Sequence, residues 1–265
     1  MSNLKNESQI IAIAGLAGAG KTSWILQQIQ IAAQTSAQQI VYFAPSSGTV
    51  AIDANLVAIQ FPDVEILSDG QELDLFTRVA NGAIAYVELG FHLDLAKMPL
   101  LDSIPESLSY HKVAVCPRGR HYAEFQSWAD RVVESDLDTA QISSQVQVWR
   151  SPLTGQVFDP SSLNVFWYEL TEGGYGEVYR CKGIFDLADG RAFYIDYTKG
   201  KESVYIELRL PRWLEGRPQR FSGIEVVGAG LDNSEMIKSI TDCCLSDEII
   251  QNYQQQIKRS QLISV

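Results

Sequence analysis

Short apolar runs alternate with amphipathic stretches through the first half of the chain. Ile10-Ile11-Ala12-Ile13-Ala14 is continuously apolar, as suits a buried strand of a parallel sheet. From Trp24 the spacing becomes helical: Trp24, Ile25, Ile29 and Ile31, with Gln27, Gln28 and Gln30 between them, predict an amphipathic helix. Residues 39–44 read as a second strand, and 64–67, 83–87 and 113–116 as further strands. Helices are predicted within 53–60, over 73–80, where Leu73, Phe76, Val79 and Ala80 share one side, and over 122–135. Strands alternating with helices indicate a parallel α/β sheet.

The pattern changes near Ser143. Apolar and aromatic runs follow at 146–149, 163–170, 177–185, 191–197, 203–210 and 224–227. Turn signals separate them: Ser151-Pro152, Glu172-Gly173-Gly174, Asp189-Gly190 and Lys199-Gly200-Lys201. Asp189-Gly190 between alternating segments is a strong hairpin signal. Helices are predicted at 234–245 and 247–258, and residues 260–265 as a disordered tail. This half reads as α+β with an antiparallel sheet. Pro152, Gly155 and Pro160 mark the connection, and the expected domains are 1–145 and 146–265.

Composition narrows the classes. The 265 residues suffice for one large or two modest cores, with 46% hydrophobic and 20% charged residues. A net charge of −11 argues against a nucleic-acid partner, because phosphate neutralisation needs clustered Lys and Arg. Arg209, Arg212, Arg217 and Arg220 form a local basic group that reads first as a solvated loop. No apolar run is long enough for a membrane span, and the first residues lack the apolar segment of a signal peptide, so the expected compartment is the cytoplasm. Cys116, Cys181, Cys243 and Cys244 contain no C-x-x-C and read as reduced, mostly buried thiols.

The candidate chemistry lies between the first strand and the first helix. Gly15, four residues, then Gly20, Lys21 and Thr22 make a P-loop, in the strand–loop–helix context that the motif requires. Glycines let the backbone approach an anion, N–H groups turn inward, and the helix N-terminus adds partial positive charge. Gly15, Ala17, Gly18, Ala19, Gly20, Lys21, Thr22 and Ser23 are the expected nucleotide contacts. Lys21 is placed to neutralise the β/γ-phosphates, and the Thr22 hydroxyl to ligate Mg²⁺. His92, His111 and His121 have no ligand partners at diagnostic spacing, and Ser109 and Ser127 lie in no nucleophile elbow. The aromatic groups Phe166-Trp167-Tyr168, Phe193-Tyr194 and Trp213 read first as packing, with a partner-binding face as the alternative.

Both halves together resemble the CobW-type P-loop GTPases, related to the nickel-chaperone GTPases. The loop reads as the family's G-x-x-G-A-G-K-T. Gly48, Ile52-Asp53 and Leu56 fit the spacing that follows its N-E-x-G. Arg180-Cys181-Lys182-Gly183-Ile184-Phe185 is similar to its K-G-x-F strand. Phe221 to Gly228, Leu231-Asp232, Ile237, Ile240 and Cys243-Cys244 are similar to its closing strand and helix. The resemblance implies a P-loop NTPase domain with a mostly parallel sheet, followed by a smaller CobW-C-terminal-like α+β domain. It implies GTP, with ATP left open, Mg²⁺, a protein partner and, by analogy, a homodimer. It also implies that Glu88, with Lys21, serves catalysis by holding Mg²⁺ or its water, and that Gly90 offers an N–H to a γ-phosphate. The alternative is that Glu88 caps a strand and Gly90 makes a turn.

Departures from the family temper the function. Leu67-Ser68-Asp69-Gly70-Gln71 stands where the metal-binding C-x-C-C belongs, so no transition-metal site is evident. Ala44-Pro45-Ser46-Ser47-Gly48 lacks the acid of N-E-x-G, and Glu88-Leu89-Gly90 is one residue tighter than E-x-x-G. No N/T-K-x-D reads the guanine; Arg118 and Arg120 follow the strand at 113–116 instead. The expectation is a nucleotide-binding, CobW-like NTPase acting as a switch or assembly or maturation factor. The alternatives are a degenerate, weakly hydrolysing structural relative and, less favoured, a metal chaperone.

Overall fold

Alternation along β1 (Gln9–Ala14) divides the first sheet into two faces. Ile10, Ala12 and Ala14 enter one core and Ile11 and Ile13 the other. The computed structural model describes residues 9–45, 48–119, 122–135 and 146–263. The chain divides into two compact units, Met1–Thr139 and Ala140–Val265. Ser46, Ser47, Arg120 and His121, and the expected boundary at 145/146, fall on or against residues outside the described ones.

In the first unit β1 is followed by α1 (Lys21–Thr35), β2 (Ile40–Phe43), α2 (Ile52–Gln60), β3 (Glu65–Leu67), α3 (Glu72–Ala80) and β4 (Ile84–Glu88). Then come α4 (Pro99–Asp102), β5 (Ser109–Pro117), α5 (Ala123–Trp128) and β6 (Arg131–Ser135). The strands form one parallel sheet in the order β3-β2-β4-β1-β5-β6. Ile25 and Ile29 of α1 and Val57 of α2 pack on one face, and Leu75 and Val79 of α3 and Phe125 of α5 on the other.

The second unit holds β7 (Gln147–Pro152), α6 (Pro160–Thr171), β8 (Glu177–Asp186), β9 (Ala192–Thr198), β10 (Val204–Glu207), β11 (Gly223–Ala229), α7 (Asn233–Asp242) and α8 (Asp247–Ile263). Its antiparallel sheet runs β10-β9-β8-β11-β7. Leu163, Phe166, Trp167 and Leu170 of α6 and Met236 and Ile240 of α7 cover one face. On the other, cross-strand neighbours alternate in charge: Arg150, Glu225, Lys182, Asp196. The α/β class with a following α+β unit is as expected.

Two local expectations are corrected, and one apolar run resolves as helix. The helix over 122–135 stops at Trp128, Ala129 turns extended, and Arg131–Ser135 pairs with β5 as an edge strand. The β-branched Val132 and Val133 suit that pairing, and the apolar spacing of so short a stretch did not separate the two states. The run 163–170 is helix. Asp159 caps it by accepting from the Ser162 N–H at 2.8 Å, Pro160 follows the cap, and its buried residues recur at helical spacing. The tail expected at 260–265 is helical as far as Ile263, as the last turn of α8; Ser264 and Val265 lie outside the described residues. The four cysteines are free; Cys116, Cys181 and Cys243 are buried and Cys244 is half-buried.

Candidate functional site

The turn from β1 into α1 needs backbone conformations that side chains resist. Gly18 and Gly20 have φ of 75° and 91°, and Gly20 is the N-cap of α1. Gly15 is excluded from substitution by proximity as well, since a Cβ there would stand 2.4 Å from the carbonyl oxygen of Val115 on β5. Ala17 and Ala19 of the loop are buried, and Ser23 is exposed in the first turn of the helix. The first turn of α1 carries no acidic side chain of its own. Lys21 Nζ donates to the carbonyl oxygens of Gly15 at 3.0 Å and Leu16 at 3.1 Å. The ammonium is thus folded over the loop's own carbonyls, beside the inward end of the helix.

Strand order then brings a carboxylate to this loop. Glu88 ends β4, the neighbour of β1, with Ile13 opposite it in register. It is buried, and the Thr22 hydroxyl donates to its Oε1 at 2.8 Å, across 66 residues of chain. The Tyr42 hydroxyl donates to its Oε2, also at 2.8 Å. Tyr42 is fully buried. Burial, then the charges of Glu88 and Asp53, then the hydrogen bond to Glu88 push its phenol well above the usual tyrosine range. It therefore stays a proton-bearing donor at neutral pH. Asp53, in the first turn of α2, is close enough to act on Tyr42 through its charge.

The other candidates land apart from this cluster or at its margin. The Leu89 N–H donates to Ile13 at 2.8 Å, anchoring the segment that leads to Gly90. A Cβ on Gly90 would press on the His92 imidazole at 2.7 Å. His92 itself is exposed, edge-on to Phe91. His111 and Ser109 lie at the exposed beginning of β5, and the Ser127 hydroxyl bonds the Glu124 carbonyl. Arg118, exposed, stands 3.7 Å from Glu134. Two members of the basic group are internal fasteners: Arg217 bonds Asp247 and the carbonyls of Gly155 and Leu245, and Arg220 bonds Asp186 and the carbonyls of Pro211 and Gly190. The aromatic groups split, with Phe166, Trp167 and Tyr194 buried and Tyr168 and Trp213 exposed. Among the described residues no group of three or more His, Cys, Asp or Glu could hold a metal ion, and no helix is long and apolar enough to cross a membrane.

Sequence reasoning missed Tyr42. It looked like one more apolar residue of a buried strand, and its partner lies 46 residues away on a strand whose adjacency no local pattern announces. In the sequence Asp53 stands out only through the family spacing around Gly48 and Leu56.

Hard oxygen donors on Thr22 and Glu88, buried and within bonding distance of each other, match the ligand chemistry of Mg²⁺. No protein-family model matches the chain, and a search of curated proteins also finds no match. Among solved structures, the Zn(II)-bound YjiA GTPase from E. coli is similar at 12% identity, with a TM-score of 0.32. A Zn(II)-bound triple mutant of the YjiA GTPase has the same identity and a TM-score of 0.33. Each similarity covers 89% of this chain and 98% of the other.

Proposed function

We propose that this protein binds a purine nucleoside triphosphate with Mg²⁺ on loop 15–22 and acts as a CobW-like nucleotide-dependent switch in protein assembly or maturation. The observation that carries the reading is the meeting of Thr22 with Glu88 at 2.8 Å beside the loop that holds Lys21. A glycine turn alone would explain the backbone. It would not explain a buried carboxylate from another strand bonded to the hydroxyl that follows the lysine.

In this reading the N–H groups of Gly18 to Thr22 surround the phosphates, and Lys21 leaves its loop carbonyls to neutralise the β/γ oxygens. Thr22 and Glu88 would hold Mg²⁺, which supplies charge neutralisation between the β- and γ-phosphates. Tyr42 keeps Glu88 oriented, and Gly90 presents an N–H on the γ-phosphate side. GTP comes from the family resemblance, and ATP is tested beside it. The γ-phosphate would bias the segment from Gly48 to Asp53 between two arrangements, and a protein partner would read the difference.

Titration of purified protein with fluorescent GTP and ATP analogues, with and without Mg²⁺, tests the reading. Saturable Mg²⁺-dependent binding that is lost in Lys21→Ala is expected. No measurable affinity for either nucleotide would overturn it. One observation favours a relative that binds but hardly hydrolyses: both Glu88 oxygens accept hydrogen bonds, from Thr22 and Tyr42. Multiple turnover lost in Lys21→Ala would reject that second reading.

A further inference from the structure

The second unit leaves one edge of its sheet beside an aromatic groove. β10 is the last strand of that sheet, and each of its four residues is exposed: Val204 and Tyr205 at 51%, Ile206 at 39%, and Glu207. On α6, Val165 and Tyr168 are also exposed, although Phe166 and Trp167 beside them are buried. Between α6 and the β9–β10 hairpin lies a groove of about 570 Å³, whose walls include Val165, Trp167, Tyr168, Tyr197 and Tyr205. Trp167 Nε1–H donates to the Ser203 hydroxyl at 2.9 Å and so ties the hairpin to the helix.

Register decides which way the edge points. The Leu208 N–H donates to the Ala192 carbonyl at 2.9 Å, opposite in the ladder that continues β9 with β10. Even-numbered residues of β10 therefore direct their N–H and C=O toward β9, and Tyr205 and Glu207 direct theirs away. Edges are commonly guarded by Pro, by an inward-pointing charge or by a bulge. Val204-Tyr205-Ile206-Glu207 has no Pro, its register with β9 is unbroken, and its one charge, Glu207, is paired with Arg191 at 3.0 Å.

We propose that this groove docks an extended segment of a partner protein, paired with β10 as a sixth strand, with an apolar side chain seated between Tyr168 and Tyr205 and a basic one beside it. Main-chain bonds to the edge supply the affinity and the groove supplies side-chain selection. The basic preference follows from Glu172 and Glu202, which outweigh Lys201 along the lining, in a chain of net charge −11. A second copy fits less well. Four residues bury far less than the ~800 Å² per partner of a stable dimer. The site lies wholly in the second unit and goes beyond the nucleotide reading.

The test is selection from a phage-displayed library of random dodecapeptides on the full-length protein, followed by fluorescence anisotropy of the enriched peptides. Enriched sequences should carry apolar residues two apart and at least one Lys or Arg. Their affinity should fall on the order of tenfold or more in Tyr205→Pro and with peptides N-methylated at alternate amides. Pro at 205 removes an N–H that faces away from β9, so the ladder within the sheet is kept; circular dichroism checks this. Tyr168→Ala, on the helix wall, should weaken binding without touching the edge, and Lys21→Ala should leave it unchanged. No enrichment, enrichment without the alternation, or binding indifferent to both Tyr205→Pro and N-methylation would overturn the proposal.

Discussion

Replacing Glu225 by Gln would leave Lys182 and Arg150 adjacent without the carboxylate that now lies between them. Glu225 stands 2.7 Å from Arg150 on β7 and 3.1 Å from Lys182 on β8, with its side chain 12% exposed. Burial by itself would raise its carboxyl. The charges of Lys182 and Arg150 and their hydrogen bonds more than reverse that, and hold it at about 2 against an ordinary 4.5. At ~1.36 kcal/mol per pKa unit, that displacement is worth on the order of 3 kcal/mol. The group is depressed on folding, so its contribution is complete above about pH 4.5 and is lost as the pH falls toward 2. Glu225→Gln preserves volume and removes the charge, so a loss of about 3 kcal/mol is expected at neutral pH, in the range for a broken buried pair. Urea unfolding followed by tryptophan fluorescence measures it. The gap between wild type and variant should shrink to less than half by about pH 3, because the wild-type contribution is then largely titrated away. A gap under ~1 kcal/mol at neutral pH, or one that does not change on acidification, would refute this reasoning.

Three further substitutions examine the loop and its carboxylate. Gly15→Ala should cost about 2–3 kcal/mol and weaken nucleotide binding, because its Cβ would sit 2.4 Å from the Val115 carbonyl, whereas Gly48→Ala, at φ 61° with open space around it, should cost only ~1 kcal/mol; equal losses in thermal melts would contradict the steric account. Tyr42→Phe removes a buried hydroxyl without opening a cavity, so it should destabilise by about 1.5–3 kcal/mol and weaken nucleotide binding more with Mg²⁺ than in chelator; equal weakening in both would show that Tyr42 does not position Glu88.

Much of the first unit was legible because its signals are local. The continuous apolar run of β1 and the helical spacing of α1 reflect periods that a dozen residues display, and the glycines between them have a geometric reason that neighbours in sequence impose. The errors came where two states share a period or a run is too short to separate them. Residues 131–135 gain strand pairing from β5, and the aromatic run 163–170 has no assigned state until Asp159 and Pro160 are seen as a helix start. At the candidate site, Lys21 and Thr22 stand out by motif spacing, and Glu88 only through the family resemblance. Tyr42 does not, because nothing in its strand distinguishes a tyrosine that packs from one that directs a carboxylate.

The sequence by itself determined a strand, a glycine turn and a helix that together present N–H groups, an ammonium and a hydroxyl. These follow from backbone sterics over 15 consecutive residues or so. Only the tertiary structure decided that Glu88 meets Thr22 and Tyr42, and that Arg150, Glu225, Lys182 and Asp196 alternate across four strands. It also decided that Tyr205 turns its backbone outward beside Tyr168. Such contacts depend on strand order and register. These are set by the burial of whole faces at once, and a register slip of one residue would exchange every one of these side chains for its neighbour on the opposite face.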